Sequence, residues 1–186
     1  EMCIRDRISI DVTVLSISLP GISQDLHPSA NELLWIVDSY SFVLACLLIV
    51  MGKFGDSFGR LRLLMWGSAL FGAASILSGF STSSLMLIVG RSLQGLGGAT
   101  LMPSTLGMIR HIFQKRSERR LALALWSAAF SSGSAIGPLL GGILLEVANW
   151  RYVFFINVPI VIVFVILARL YVPESDLEEA ERIDLL

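Results

Sequence analysis

Three ionisable residues stand inside long apolar stretches: Asp11, Asp38 and Arg91. An ionisable side chain in hydrocarbon costs several kcal/mol unless it faces a cavity or a partner, so each is a candidate for work. Burial raises a carboxylate's pKa and a nearby cation lowers it, and a group between these influences can bind and release a proton near neutral pH. The bland alternatives are a structural ion pair of Asp11 with Arg91 and, for Asp38, an interfacial residue wetted from one side. Arg91, Gln94 and Gly95 stand at i, i+3 and i+4 on one helix face. Gly95, Gly97 and Gly98 then allow close approach of a backbone or a ligand. Other chemistries find no support: no nucleophile–histidine pair or phosphate loop occurs, and His27 and His111 are solitary. Cys3 and Cys46 match no metal or redox spacing, and Cys46 reads as inert packing. Gly95–Thr100 (GLGGAT) fails the dinucleotide fingerprint because position 100 is not glycine. No catalytic residue, metal or cofactor is expected.

The elements that must carry these residues are membrane spans. Of 186 residues, 54% are apolar before the 16 glycines are counted, and only 16% are charged; soluble domains average about 45–50% apolar with glycine included and about 25% charged. Mean hydropathy is +0.74. The solvent is lipid. A bilayer core needs about 20 apolar residues in helix, and 33–51, 63–80, 85–109, 121–145 and 152–168 supply such runs, with 8–22 a shorter sixth. The runs are too long, and too poor in alternation, for barrel strands. A stripe of Gly133, Gly137 and Gly141 in the fifth span suits close helix packing, and Pro138 predicts a kink.

Lysine and arginine orient the spans. The segments 52–62 and 110–120 hold eight of them between them, against Arg151 alone in the segments on the other side. Both basic segments are therefore expected in the cytoplasm. Flanking spans exclude a nucleic-acid patch at 110–120. In GKFGDSFGR, Gly52, Gly55 and Gly59 permit tight turns, while Asp56 and Arg60 offer charges to neighbouring helix ends. The charge-dense residues 1–7 are expected to be non-native or misjoined, 8–172 to form the six-span bundle, and 173–186 to be an acidic linker leading to another span.

These motifs resemble the major facilitator superfamily. GKFGDSFGR at 52–60 looks like its first cytoplasmic loop signature, and Arg91, Gln94 and Gly95 resemble its fourth-span motif. Gly133, Gly137, Pro138, Gly141 and Gly142 are similar to its fifth-span antiporter motif. Asp11 and Thr13, followed by Leu19 and Pro20, look like the first span of the fourteen-span drug:proton antiporters. WIVDSYSFVLA at 35–45, LMPSTLGMIRHIF at 101–113, Trp150-Arg151 and INVP at 156–159 are similar to pumps for quaternary ammonium antiseptics and dyes. The resemblance implies an all-α membrane fold: the six-span amino-terminal bundle, two three-helix repeats, of a longer multi-pass protein of the plasma or inner membrane. It implies alternating access, with protons and lipophilic mono- or divalent cations as partners competing for Asp11 and Asp38, Arg91 as modulator, and a carboxy-terminal bundle as the missing counterpart. A proton-coupled symporter on the same fold and a non-transporting membrane scaffold are the alternatives.

Overall fold

In the computed structural model, which describes residues 15, 18–147 and 149–171, the described residues form helices joined by short turns. The first helix, α1, occupies 18–26. It ends where His27 takes a left-handed φ of 44° and donates its backbone N–H to the Ser23 carbonyl. The next helix starts two residues later on a capping box. The Ser29 N–H and hydroxyl both donate to Glu32 Oε2 at 2.8 Å, and the Glu32 N–H donates back to Ser29 Oγ at 3.3 Å. These bonds occupy orphan donors at the first turn of α2 (Ala30–Phe58). They also hold the Glu32 carboxyl below its ordinary value, the Ser29 backbone N–H first and its hydroxyl second.

The remaining helices are α3 (Arg60–Gly79), α4 (Ser84–Ile112), α5 (Arg116–Val147), a one-turn α6 (Tyr152–Phe155) and α7 (Asn157–Tyr171). Each coincides with an expected span, the sixth being α6 and α7 together. The interruption between them has a local cause. Pro159 has no N–H to give the Phe155 carbonyl, yet Ile156 keeps helical angles and the path continues. Four of the described helices are long and apolar enough to cross a membrane: Ala30–Phe58, Arg60–Gly79, Ser84–Arg110 and Tyr152–Leu170. Residues 1–14 and 172–186, with the proposed boundaries there, lie outside the described residues. So does most of the expected first span.

One expectation is corrected. The segment 52–62 is not an extended loop, because α2 continues through Gly52, Gly55 and Asp56 to Phe58. No stop signal occurs before Gly59, which alone turns the chain with φ 91°. A residue with a Cβ is strained at that angle. Gly52 and Gly55 serve contact instead: a Cβ on Gly52 would lie 3.6 Å from Pro103, and one on Gly55 would lie 3.8 Å from Ser104 Oγ. Likewise α4 runs on to Ile112, leaving a short turn before Arg116. Through Pro138, α5 stays helical without a break.

Helix α4 is the centre of the packing, set between α2 and α3. Over half of its apolar window is buried (56%), against 17% for α2. Small residues make this possible. A Cβ on Gly95 would fall 2.5 Å from the Tyr40 carbonyl oxygen, and one on Gly97 would fall 2.8 Å from the Gly67 carbonyl oxygen. The close approach expected at these glycines is therefore made by backbone. Core clusters fill the remaining levels: Leu64, Leu101, Met108, Phe164 and Ala168 near the basic end, Tyr40, Phe71 and Val161 midway, and Leu15, Ile22, Ile36, Leu87, Trp150 and Phe154 at the other end. At that far end the Trp150 indole donates to Asp25 Oδ2 at 2.9 Å, tying α1 to the start of α6.

Candidate functional site

Arg91 lies two turns into α4 and is 1% exposed. Such burial of a guanidinium requires polar company. Its Nη1 donates to Gln94 Oε1 at 3.2 Å, one turn along the same helix. Gln94, itself fully buried, donates from Nε2 to Ser75 Oγ of α3 at 2.8 Å. The Ser75 hydroxyl in turn donates to the Phe71 carbonyl at 2.8 Å. From α2, the Tyr40 ring lies 4.6 Å from the guanidinium carbon. A cation–π contact of this kind is worth about 2 kcal/mol when desolvated. Three helices thus converge on one charge.

The Arg91–Gln94 pair was legible as an i, i+3 spacing. Tyr40 and Ser75 were missed. Tyr40 stands only two positions from Asp38, but nothing in the sequence says which face of α2 meets α4. Ser75 is one serine among several on α3.

Asp38 is not brought to Arg91. Two residues along a helix is about 200° around it, so Tyr40 points inward where Asp38 points outward, and Asp38 is exposed. It sits on the open face of α2 between Trp35 and Phe42, whose rings meet edge to face at 6.5 Å and are both at least half exposed. A carboxylate on the same helix face as two exposed aromatic rings is a fitting surface for a lipophilic cation. Cys46 is exposed on this helix too, which corrects its reading as buried packing. Asp11 falls outside the described residues, as do the side-chain surroundings of Gly133, Gly137, Pro138 and Gly141. Among the described residues, a Cβ on Gly142 would meet nothing within 4 Å.

At the basic end, Asp56 accepts from Arg60 Nη2 at 2.8 Å and from Arg60 Nε at 3.1 Å across the Gly59 turn. The Arg60 guanidinium lies flat against α4 at Gly107, where any Cβ would overlap it. The motif therefore clips the α2–α3 turn to α4. Gly107 escaped the sequence reading because its partner lies 47 positions away.

A bundle of apolar helices built around a buried, hydrogen-bonded arginine, with a charged clip at one turn, is now a geometric fact. The family model described as the Major Facilitator Superfamily matches residues 8–184. The chain belongs to the major facilitator superfamily. It is a multi-pass membrane protein of a transporter family. It is 51% identical over 168 residues to the multidrug efflux pump LfrA of Mycolicibacterium smegmatis, an alignment covering 90% of this chain and 33% of the relative. It is 48% identical to the methyl viologen resistance protein SmvA of Salmonella typhimurium, with 90% and 34% covered. It is 36% identical to the tetracenomycin C resistance and export protein of Streptomyces glaucescens, with 94% and 32% covered. The chain spans about a third of the length of these relatives.

Proposed function

We propose that these helices form the amino-terminal bundle of a proton-coupled antiporter that exports lipophilic cationic compounds, antiseptics among them, by alternating access. The observation that carries this reading is the buried Arg91, held by Gln94, Ser75 and Tyr40 where three helices meet. A charge so enclosed adds little to stability that an apolar residue would not; it gains a purpose by acting on a carboxylate that titrates. Asp11 of the first span is assigned that carboxylate. Asp38, on the open aromatic face of α2, is assigned to contact the exported cation and, for some substrates, to carry a second proton. The Asp56–Arg60 clip latches one conformation, and the fifth-span motif of Gly133, Gly137, Pro138, Gly141 and Gly142 supplies the bending helix. The basic segments at 52–62 and 110–120 are assigned to the cytoplasmic side of the plasma or inner membrane, and a second bundle, beyond this chain, completes the cavity.

The relatives' names support the substrate class, since methyl viologen is a dication. Exchange of a monovalent cation for one proton moves no net charge and is driven by the pH gradient alone, at about 1.4 kcal/mol per unit. Export of a dication for one proton works against the membrane potential, at about 2.3 kcal/mol per charge per 100 mV. A second titrating acid removes that penalty.

The test uses the full-length protein in everted vesicles with an acid lumen, reading lumenal pH on addition of methyl viologen or a monovalent dye cation. Antiport collapses the gradient, symport gives the opposite sign, and a scaffold gives no signal. Asp11→Asn is expected to disable export of both cations, and Asp38→Asn to impair the dication more than the monocation. Equal losses for the two charge classes in Asp38→Asn would overturn that division of roles.

A further inference from the structure

Resting on the reading above, we infer that Ser75 of α3 is a positioning residue for Arg91, acting through Gln94. A guanidinium only donates hydrogen bonds. It therefore forces the Gln94 carboxamide to present Oε1, and the observed contact is Nη1 to Oε1 at 3.2 Å. Nε2, which also only donates, is then turned away and needs an acceptor. The Ser75 hydroxyl is that acceptor at 2.8 Å, and it has room to accept because its own hydrogen goes to the Phe71 carbonyl. Every link has one polarity, and Arg91 dictates it. Turning the amide over would oppose donor to donor.

The setting makes the loss of Ser75 costly. Both Gln94 and Ser75 are fully buried, and an amide N–H without an acceptor in such surroundings bears its full desolvation penalty. Without the hydroxyl, Gln94 loses the acceptor that fixes its rotamer, and the oxygen that aligns Arg91 is no longer held in place. The partner that sets Arg91's direction thus lies on a different helix, 19 positions from Gln94. From α2 the Tyr40 ring faces Arg91, from α3 Ser75 reaches it through Gln94, and none of these groups is charged at neutral pH. Asp38 on α2 is turned outward, and the carboxylate that the proposed function sets against Arg91 is Asp11.

The experiment measures initial rates of cation export against pH for the full-length protein in proteoliposomes, together with KM for the cation. Ser75→Ala is smaller than the native residue and breaks no packing contact by size. Its pH–rate midpoint is expected to move to higher pH by about half a unit to one unit, with KM for the cation unchanged. Gln94→Ala is expected to give a shift of the same sign, and the double variant no further shift, because the inferred path from Ser75 to Arg91 runs through Gln94. A Ser75→Ala midpoint equal to wild type overturns the inference, and so does a shift that adds to that of Gln94→Ala. A wild-type protein that exports the cation with no proton flux would instead overturn the proposed coupling itself, and the inference with it. The two failures are therefore distinct in the data.

Discussion

Replacing Gly95 by alanine sets two effects against each other, and the geometry decides between them. In a helix interior, glycine to alanine is favourable by about 1 kcal/mol, partly through the unfolded chain. At Gly95 the new Cβ would stand 2.5 Å from the Tyr40 carbonyl oxygen, 3.1 Å from Val43 Cβ and 3.3 Å from the Tyr40 carbonyl carbon. Two of these atoms are backbone, so no rotamer change relieves the overlap. Ordinary contact begins at 3.4 Å, and α2 and α4 would have to separate by most of an ångström. Overpacking of this kind costs about 1–3 kcal/mol, and a backbone clash belongs at the upper end, leaving a net loss of about 2 kcal/mol. The separation also draws the Tyr40 ring away from Arg91, now 4.6 Å beneath the guanidinium. Gly52→Ala is the matched control, since among the described residues its Cβ would meet only Pro103, at 3.6 Å. Thermal unfolding of the detergent-solubilised full-length protein should fall for Gly95→Ala and hold or rise for Gly52→Ala, and dye export should fall only for the first. Equal destabilisation by both, or a Gly95→Ala protein as stable as wild type, would refute the reasoning.

Gly59→Ala should destabilise by about 1–2 kcal/mol, read by the same melt, because a Cβ is strained at φ 91°. Gly107→Leu should displace the Arg60 guanidinium from α4 and reduce dye export several-fold; because Asp56 and Arg60 are partly exposed, loss of their ion pair itself should cost under about 1 kcal/mol. The Glu32 carboxyl is held below its ordinary value of 4.5 by Ser29, so its contribution to the start of α2 is complete above that value and fades as pH falls through the folded-state value. Glu32→Gln should therefore differ from wild type at neutral pH and converge with it in acid, in melts run from neutrality downward.

The spans were legible because the bilayer imposes a length, and charge-free runs of that length are hard to mistake. The contact of Arg91 with Gln94 was legible as well, being local to one helix. What stayed hidden was direction. Asp38 and Tyr40 lie within one turn, yet one faces out and the other faces Arg91, and only the meeting of α2 with α4 assigns the faces. The segment around Lys53 and Asp56 read as loop because charge was taken to mark the membrane's edge. Charge ends a span and need not end a helix, so α2 simply continued past the boundary until Gly59. Ser75 was hidden for another reason. Ser68 and Ser75 both bond back to carbonyls one turn earlier, a habit of helix serines that carries no functional mark; only the arrival of Gln94 from α4 distinguishes them.

The alternating access of the proposed function needs one surface that slides and another that does not, and the packing distinguishes two kinds of surface. The α2–α4 and α3–α4 interfaces, where backbone meets backbone at Gly95 and Gly97, have no slack to shear. Arg91 and Gly107 stand sixteen positions apart on α4, with Pro103 between them, so under the proposed function the Arg60 clip and the buried site ride on the same helix. The open face of α2, carrying Trp35, Asp38 and Phe42, has no such restraint. Under the proposed function the two charges therefore differ in kind. Arg91 works inside a body that moves as one piece, where its hydrogen bonds persist through the cycle. Asp38 works on the surface that body presents to its surroundings, where its neighbours change as the cycle proceeds. A substitution at Arg91 should then alter the pH dependence of every step, while one at Asp38 should alter the step at which the cation is gained or lost.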